Sequence, residues 1–107
     1  MHKLLIILSF QITVLLSYPC IAQEEYTMQN TILKNGIRYN LQNKPLNGIV
    51  KVYYPNGVLL LEMPYKNGLM DGIARGYRED GKLYEEIIYR KSREIKKIFY
   101  PTYKIIV

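Results

Sequence analysis

Glu62 and Glu86 stand in matching contexts in the second half of the chain, and two carboxylates brought onto one face are the minimum set for general acid and base chemistry. Two other sets could do chemistry. One is the tyrosines, 11 in all, of which Tyr53, Tyr54, Tyr65, Tyr77, Tyr84 and Tyr89 fall at recurring places. The other is a cluster of cations at the end of the chain: Arg90, Lys91, Arg93, Lys96, Lys97 and Lys104, with Glu94 as the single acid among them. The one histidine, His2, and the one cysteine, Cys20, both lie near the start.

Each set has a plain structural reading beside its chemical one. Repeated glutamates most often occupy the solvated face of a strand, and the adjacent Glu85 and Glu86 must point to opposite faces by strand alternation. We therefore expect no catalytic, cofactor-binding or metal-binding residue, and an enzymatic reading requires Asp, Glu and Tyr to suffice. Tyrosine pairs a large apolar face with a polar tip and suits recognition surfaces, while cross-strand aromatic pairs also stabilise a thin sheet. Tyr54 and Tyr84 are the two expected on an exposed face.

The cations are informative because of where they sit. Residues 23–89 carry eight basic and eight acidic side chains, so the excess gathers in residues 90–107. Such a patch favours an anionic partner, whether an acidic protein, a lipid headgroup or an envelope polymer. The alternative is that lysines guard an open edge strand against pairing with other chains. Arg90, Lys91, Arg93, Lys96 and Lys97, with Tyr54 and Tyr84, form the candidate binding surface.

Residues 1–22 have the order of a secretory signal: Lys3, an apolar run 4–16 interrupted by Ser9, Gln11 and Thr13, then Ala22 before Gln23, Glu24 and Glu25. The run is short for a membrane span of about 20 apolar residues, so cleavage after Ala22 is expected and an uncleaved anchor is the alternative. Tyr18 and Pro19 before Cys20 fit a lipoprotein signal poorly. Cleavage would remove His2 and Cys20, leaving a chain 23–107 with no thiolate, imidazole or disulfide. The expected location is the periplasm, the cell surface or the medium. Nucleic acid is not an expected partner, because export leads away from it.

The elements that must position these residues form a repeat. Laying residues 48–65 over 72–89 matches Gly48 with Gly72, Ile49 with Ile73, Tyr53 with Tyr77, Gly57 with Gly81, Leu59 with Leu83, Glu62 with Glu86 and Tyr65 with Tyr89. A decayed third copy begins at Glu94. Pro55-Asn56-Gly57, Glu79-Asp80-Gly81 and Lys66-Asn67-Gly68 are turn sequences. Between them, apolar and aromatic runs predict strands over 49–54, 58–65, 73–78, 82–89 and 95–100. Pro64 cannot donate to a ladder, which predicts a strand end or bulge there. Asn35-Gly36 between apolar residues predicts a leading hairpin, and residues 23–30 read as an unpatterned, flexible lead-in.

The string Tyr65-Lys66-Asn67-Gly68-Leu69-Met70-Asp71-Gly72, followed by Tyr77 and Asp80-Gly81-Lys82-Leu83, resembles the MORN repeat. The repeat length, Gly48 to Gly72, and Tyr53-Tyr54-Pro55-Asn56-Gly57 are similar to its bacterial variant form, and Tyr39 with Lys44-Pro45-Leu46-Asn47-Gly48 is similar to the segment that precedes a first repeat. Ala74 departs from the pattern, where a second glycine is usual. The resemblance implies an all-β, open antiparallel meander of hairpin repeats, laid out as one flat ribbon of seven or eight strands with no catalytic residues. Its organisation would be a signal peptide 1–22, a lead-in 23–30, a leading hairpin 31–47, repeats 48–71 and 72–93, and a degenerate copy 94–107. The family's antitoxin or immunity-like labels imply a protein partner, such as a toxin. The runner-up is a structural envelope protein that docks to anionic lipid or polymer.

Overall fold

Runs of β-branched, leucine and tyrosine residues cut by turn sequences form strands here, because each run is too short for a stable helix and each turn reverses the chain within a few residues. The computed structural model describes residues 23–101. The signal sequence expected in residues 1–22 and the end of the expected third copy, residues 102–107, lie outside the described residues. Nine strands are present among the described residues: β1 Glu25–Tyr26, β2 Thr31–Lys34, β3 Ile37–Asn40, β4 Gly48–Tyr53, β5 Leu59–Lys66, β6 Leu69–Met70, β7 Gly72–Tyr77, β8 Leu83–Arg90 and β9 Arg93–Phe99. The order β1-β4-β5-β7-β8-β9 makes one sheet, with β6 on the end of β5, and β2-β3 make a second sheet of two strands.

The period of the sequence is written into the hydrogen bonds. Tyr54 donates its N–H to Val58 (2.8 Å) and Gly57 to Tyr54 (2.9 Å); one repeat later, Arg78 donates to Lys82 (2.9 Å) and Gly81 to Arg78 (2.8 Å). At the opposite end of the strands, Gly68 N–H reaches the Leu46 carbonyl (2.9 Å) and Ser92 N–H the Met70 carbonyl (2.8 Å). Each turn is thus tied to the segment one repeat earlier. The β4–β5 and β7–β8 pairs even share a bulge, at Val52/Tyr53 and Gly76/Tyr77.

Three expectations are corrected. The lead-in is patterned: β1 pairs in parallel with β4, Glu25 opposite Ile49, and a single 3-10 turn, Met28–Asn30, follows it. The sheet is therefore not wholly antiparallel. The leading hairpin does not extend the ribbon; β2-β3 stands off it as a separate sheet, docked by Arg38 N–H on the Gly68 carbonyl (2.9 Å) and Leu46 N–H on the Arg38 carbonyl (2.9 Å). Pro64 does not end its strand, since β5 continues to Lys66. Instead the ladder on its far side breaks there, passing from β7 to β6, and the Pro64 carbonyl takes the Asp71 N–H (3.1 Å). The N–H and C=O of a strand residue share a side, so proline's missing donor falls at that break.

The core is small and lies on one face at the start of the sheet. Leu46 and Val50 are fully buried, Tyr65 nearly so, and Tyr26, Met63 and Met70 pack around them. Burying each aliphatic side chain is worth about 1.5–3 kcal/mol. Arg38 is also buried: its guanidinium donates to Tyr65 Oη (3.2 Å) and Thr31 Oγ1 (2.9 Å) and lies 5.5 Å from the centre of the Tyr65 ring. The leading hairpin thus closes over the first repeat like a cap.

Candidate functional site: the basic terminal strand

Strand β9 follows a two-residue turn, Lys91-Ser92, in which both residues take positive φ (49° and 64°) although neither is glycine. Such a turn is held from outside: besides the Ser92 N–H bond to Met70, Ser92 Oγ accepts the Met70 N–H (3.0 Å). The turn places Arg90 directly opposite Arg93. Like charges opposed in a ladder repel, so the pair raises positive potential at this corner. A shallow depression of about 350 Å³ there is lined by Arg90, Lys91, Arg93 and Ile95.

Beyond the turn, Lys96 faces Ile88 and Lys97 faces Ile87, with one residue of bulge between the two halves of the β8–β9 ladder. Lys97 Nζ lies 4.0 Å from a Glu85 carboxylate oxygen and 5.6 Å from the Phe99 ring centre. Among the described residues no acid lies within ion-pair distance of Arg90, Lys91, Arg93 or Lys96. All five cations are exposed, and so are Ile95 (53%) and Phe99 (61%) on the same strand. The sequence reading misses those two apolar residues. Strand alternation is the signal that could have found Phe99 beside Lys97 on one face.

The sequence-predicted tyrosines do not join this surface as exposed groups. Tyr54 is half-buried, and its hydroxyl donates to the Tyr77 carbonyl (2.6 Å), tying the first repeat to the second. Tyr84 is half-buried at the far end of β8 from the turn, with the Arg78 guanidinium 4.9 Å from its ring and Phe99 6.4 Å away. Both rings are mortar between neighbouring strands, because each hairpin is too thin to cover a tyrosine alone. Tyr53, not Tyr54, is the exposed member of its pair.

The glutamates do not face each other and are not freely solvated. On the face opposite the core, the register runs Lys51 to Glu62, Glu62 to Arg75 and Arg75 to Glu86. Glu25 extends this row through an ion pair with Lys51, and Arg75 Nε meets Glu86 at 2.9 Å. A cation therefore separates the two acids, and each accepts a phenol: Tyr77 on Glu62 and Tyr100 on Glu86, both at 2.5 Å. Burial and the adjacent Glu62 push the Tyr77 phenol up to about 12. The Tyr100 hydrogen bond, helped by Arg75, holds the Glu86 carboxyl below its ordinary value. Both acids thus stand inside an alternating charge row, and Glu85 points to the other face, towards Lys97, as alternation requires.

On the core face, the second repeat copies the first with smaller residues at two of three positions. The repeat alignment takes Leu46 to Met70, Val50 to Ala74 and Val52 to Gly76. Where the first repeat has a filled core, the second has an apolar hollow of about 190 Å³ lined by residues including Leu61, Met63, Met70, Ala74, Gly76 and Ile87.

Set beside known sequences, residues 46–67 and 70–91 each match the MORN repeat variant, and the two matches are offset by one period, as are the hydrogen bonds above. No curated protein and no solved structure matches the chain.

Proposed function

This is a MORN-repeat protein, a β-repeat module, and from that premise we propose that it is exported and non-enzymatic and holds a protein partner against its basic end in the manner of an immunity or antitoxin component. The observation that carries the reading is the concentration of exposed cations on the last described strand and the turn that leads into it. Arg90, Lys91, Arg93 and Lys96 have no acid in ion-pair reach among the described residues, whereas Glu25, Glu62 and Glu86 are engaged in the charge row and Glu85 stands 4.0 Å from Lys97. A surface with one sign of charge and interspersed apolar side chains (Ile95, Phe99) speeds encounter with an acidic protein and rejects basic ones. The exported state rests on the order of residues 1–22.

The depression at the Lys91-Ser92 turn favours a second reading, docking to anionic lipid or envelope polymer, because its three cations converge around a shallow opening. Salt separates the two. Docking through clustered lysines alone collapses by about 0.3 M salt, where the Debye length is only a few ångströms. Affinity capture from the native envelope at that salt should recover one stoichiometric protein with the natural chain, and lose it with Arg93→Glu/Lys96→Glu. Capture that is indifferent to those substitutions, or binding confined to anionic vesicles at low salt, overturns the protein-binding reading.

A further inference from the structure

The main-chain groups of β9 carry information beyond its charges. Tyr100 N–H donates to the Tyr84 carbonyl at 2.7 Å. Antiparallel ladders alternate between pairs that exchange hydrogen bonds and pairs that do not. Counting back from Tyr84/Tyr100, the pairs Glu85/Phe99 and Ile87/Lys97 are of the second kind. The N–H and C=O groups of Lys97 and Phe99 consequently point away from β8, towards the outer edge of the sheet. That edge has no partner strand among the described residues. It is bounded on one side by the bulge between Ile88 and Tyr89, which bends the strand, and on the other by Pro101, which has no N–H to offer.

We propose that this edge accepts a short, extended, acidic segment of another protein as an added strand, with two consecutive acidic residues opposite Lys96 and Lys97 and two apolar residues opposite Ile98 and Phe99. This rests on the protein-binding reading above and specifies its mode. Main-chain bonds to Lys97 and Phe99 give affinity, and alternate side chains give selectivity. Because Lys96 and Lys97 point to opposite faces, the two acids must be adjacent in the partner for both to be met. A second copy of this chain is the wrong occupant: β9 laid against β9 gathers the Arg93, Lys96 and Lys97 cations of both strands along one seam with few acids to offset them. The lysines that keep other chains off this edge thereby select an anionic one.

The test uses labelled ten-residue peptides with a central Glu-Asp-Val-Ile, or its reverse order, titrated with the purified full chain at 0.15 M salt by fluorescence anisotropy. One of the two orders should bind, and its Glu-to-Lys version should lose at least ten-fold. N-methylation of the peptide's alternate residues that face β9 should cost at least ten-fold, while methylation of the intervening residues changes affinity less than three-fold. Lys97→Pro should bind at least ten-fold more weakly than Lys97→Gln, with the circular dichroism of both unchanged, because the Lys97 N–H is not used within the sheet. Equal sensitivity to both methylation patterns overturns strand addition while leaving the protein-binding reading intact, since charge alone would then account for binding. A free protein that is dimeric and becomes monomeric in Lys97→Pro puts a second copy on the edge and overturns the proposal. Peptide binding seen only after removal of residues 102–107 assigns the edge to the chain's own end and overturns it likewise.

Discussion

Replacing Gly68 by alanine tests whether the leading hairpin caps the first repeat, and Gly57 supplies the matched control. Both glycines have left-handed backbone, φ +81° and +88°, so alanine at either costs about 1–2 kcal/mol in backbone strain. At Gly57 the new methyl meets nothing within 4 Å, and the cost ends there. At Gly68 it would overlap Ile37 Cγ2 and stand 2.9 Å from the Arg38 carbonyl oxygen. Ile37 can yield, but the Arg38 carbonyl is held by the Leu46 N–H (2.9 Å). The hairpin must therefore retreat from the turn, giving up the Arg38 N–H bond to Gly68, worth about 1 kcal/mol net, together with part of the packing over Tyr65. Gly68→Ala should lose about 2 kcal/mol more than Gly57→Ala in urea unfolding followed by circular dichroism, and only Gly68→Ala should expose the Arg38 amide to hydrogen exchange. If the two variants agree within about 0.5 kcal/mol, the scatter of neutral surface changes, the hairpin is not docked as described and the capping argument fails.

Tyr77→Phe should cost about 1.5–3 kcal/mol, the range for a hydrogen bond to a charged acceptor, and should abolish a late phenol ionisation seen in the near-ultraviolet absorbance. The Tyr77 phenol is raised from 10.0 to about 12, so its contribution to stability is complete below pH 10 and disappears as pH rises through about 12; an unchanged titration in the variant would contradict this. The lowered Glu86 carboxyl has the opposite sign. Its contribution is present above the ordinary glutamate range and fades as pH falls through the depressed value, so Glu86→Gln should flatten the acid limb of a stability profile measured by thermal unfolding. Ala74→Val restores the residue found at the matching Val50 and should fill part of the hollow on the core face, raising stability by up to about 1 kcal/mol; a loss of stability would mean that the hollow is already occupied or closed.

The hairpins were legible in the chain because their causes are local. Asn35-Gly36, Pro55-Asn56-Gly57, Asn67-Gly68 and Asp80-Gly81 reverse the backbone through their own conformational preferences, and the predicted strands differ from the observed ones only at their ends. The repeat period, visible as matched Gly, Tyr and Glu, likewise fixed which hairpins are equivalent, and the charge count placed the surplus cations in residues 90–107. The Lys91-Ser92 turn was not legible as one, because neither residue favours positive φ; contacts from Met70 hold it there.

What the residues alone determined is thus the meander, its spacing and the sign of its charged end, all of which depend on neighbours a few positions apart. Only the folded sheet decided that β1 joins in parallel, that the leading hairpin turns aside to cover Leu46 and Tyr65, and that Tyr54 and Tyr84 are packed between strands. It also decided that Glu62 and Glu86 are separated by Arg75 and capped by phenols. Those outcomes depend on which groups from distant repeats meet across roughly 5 Å of ladder, and a side chain's own type does not state whom it will face.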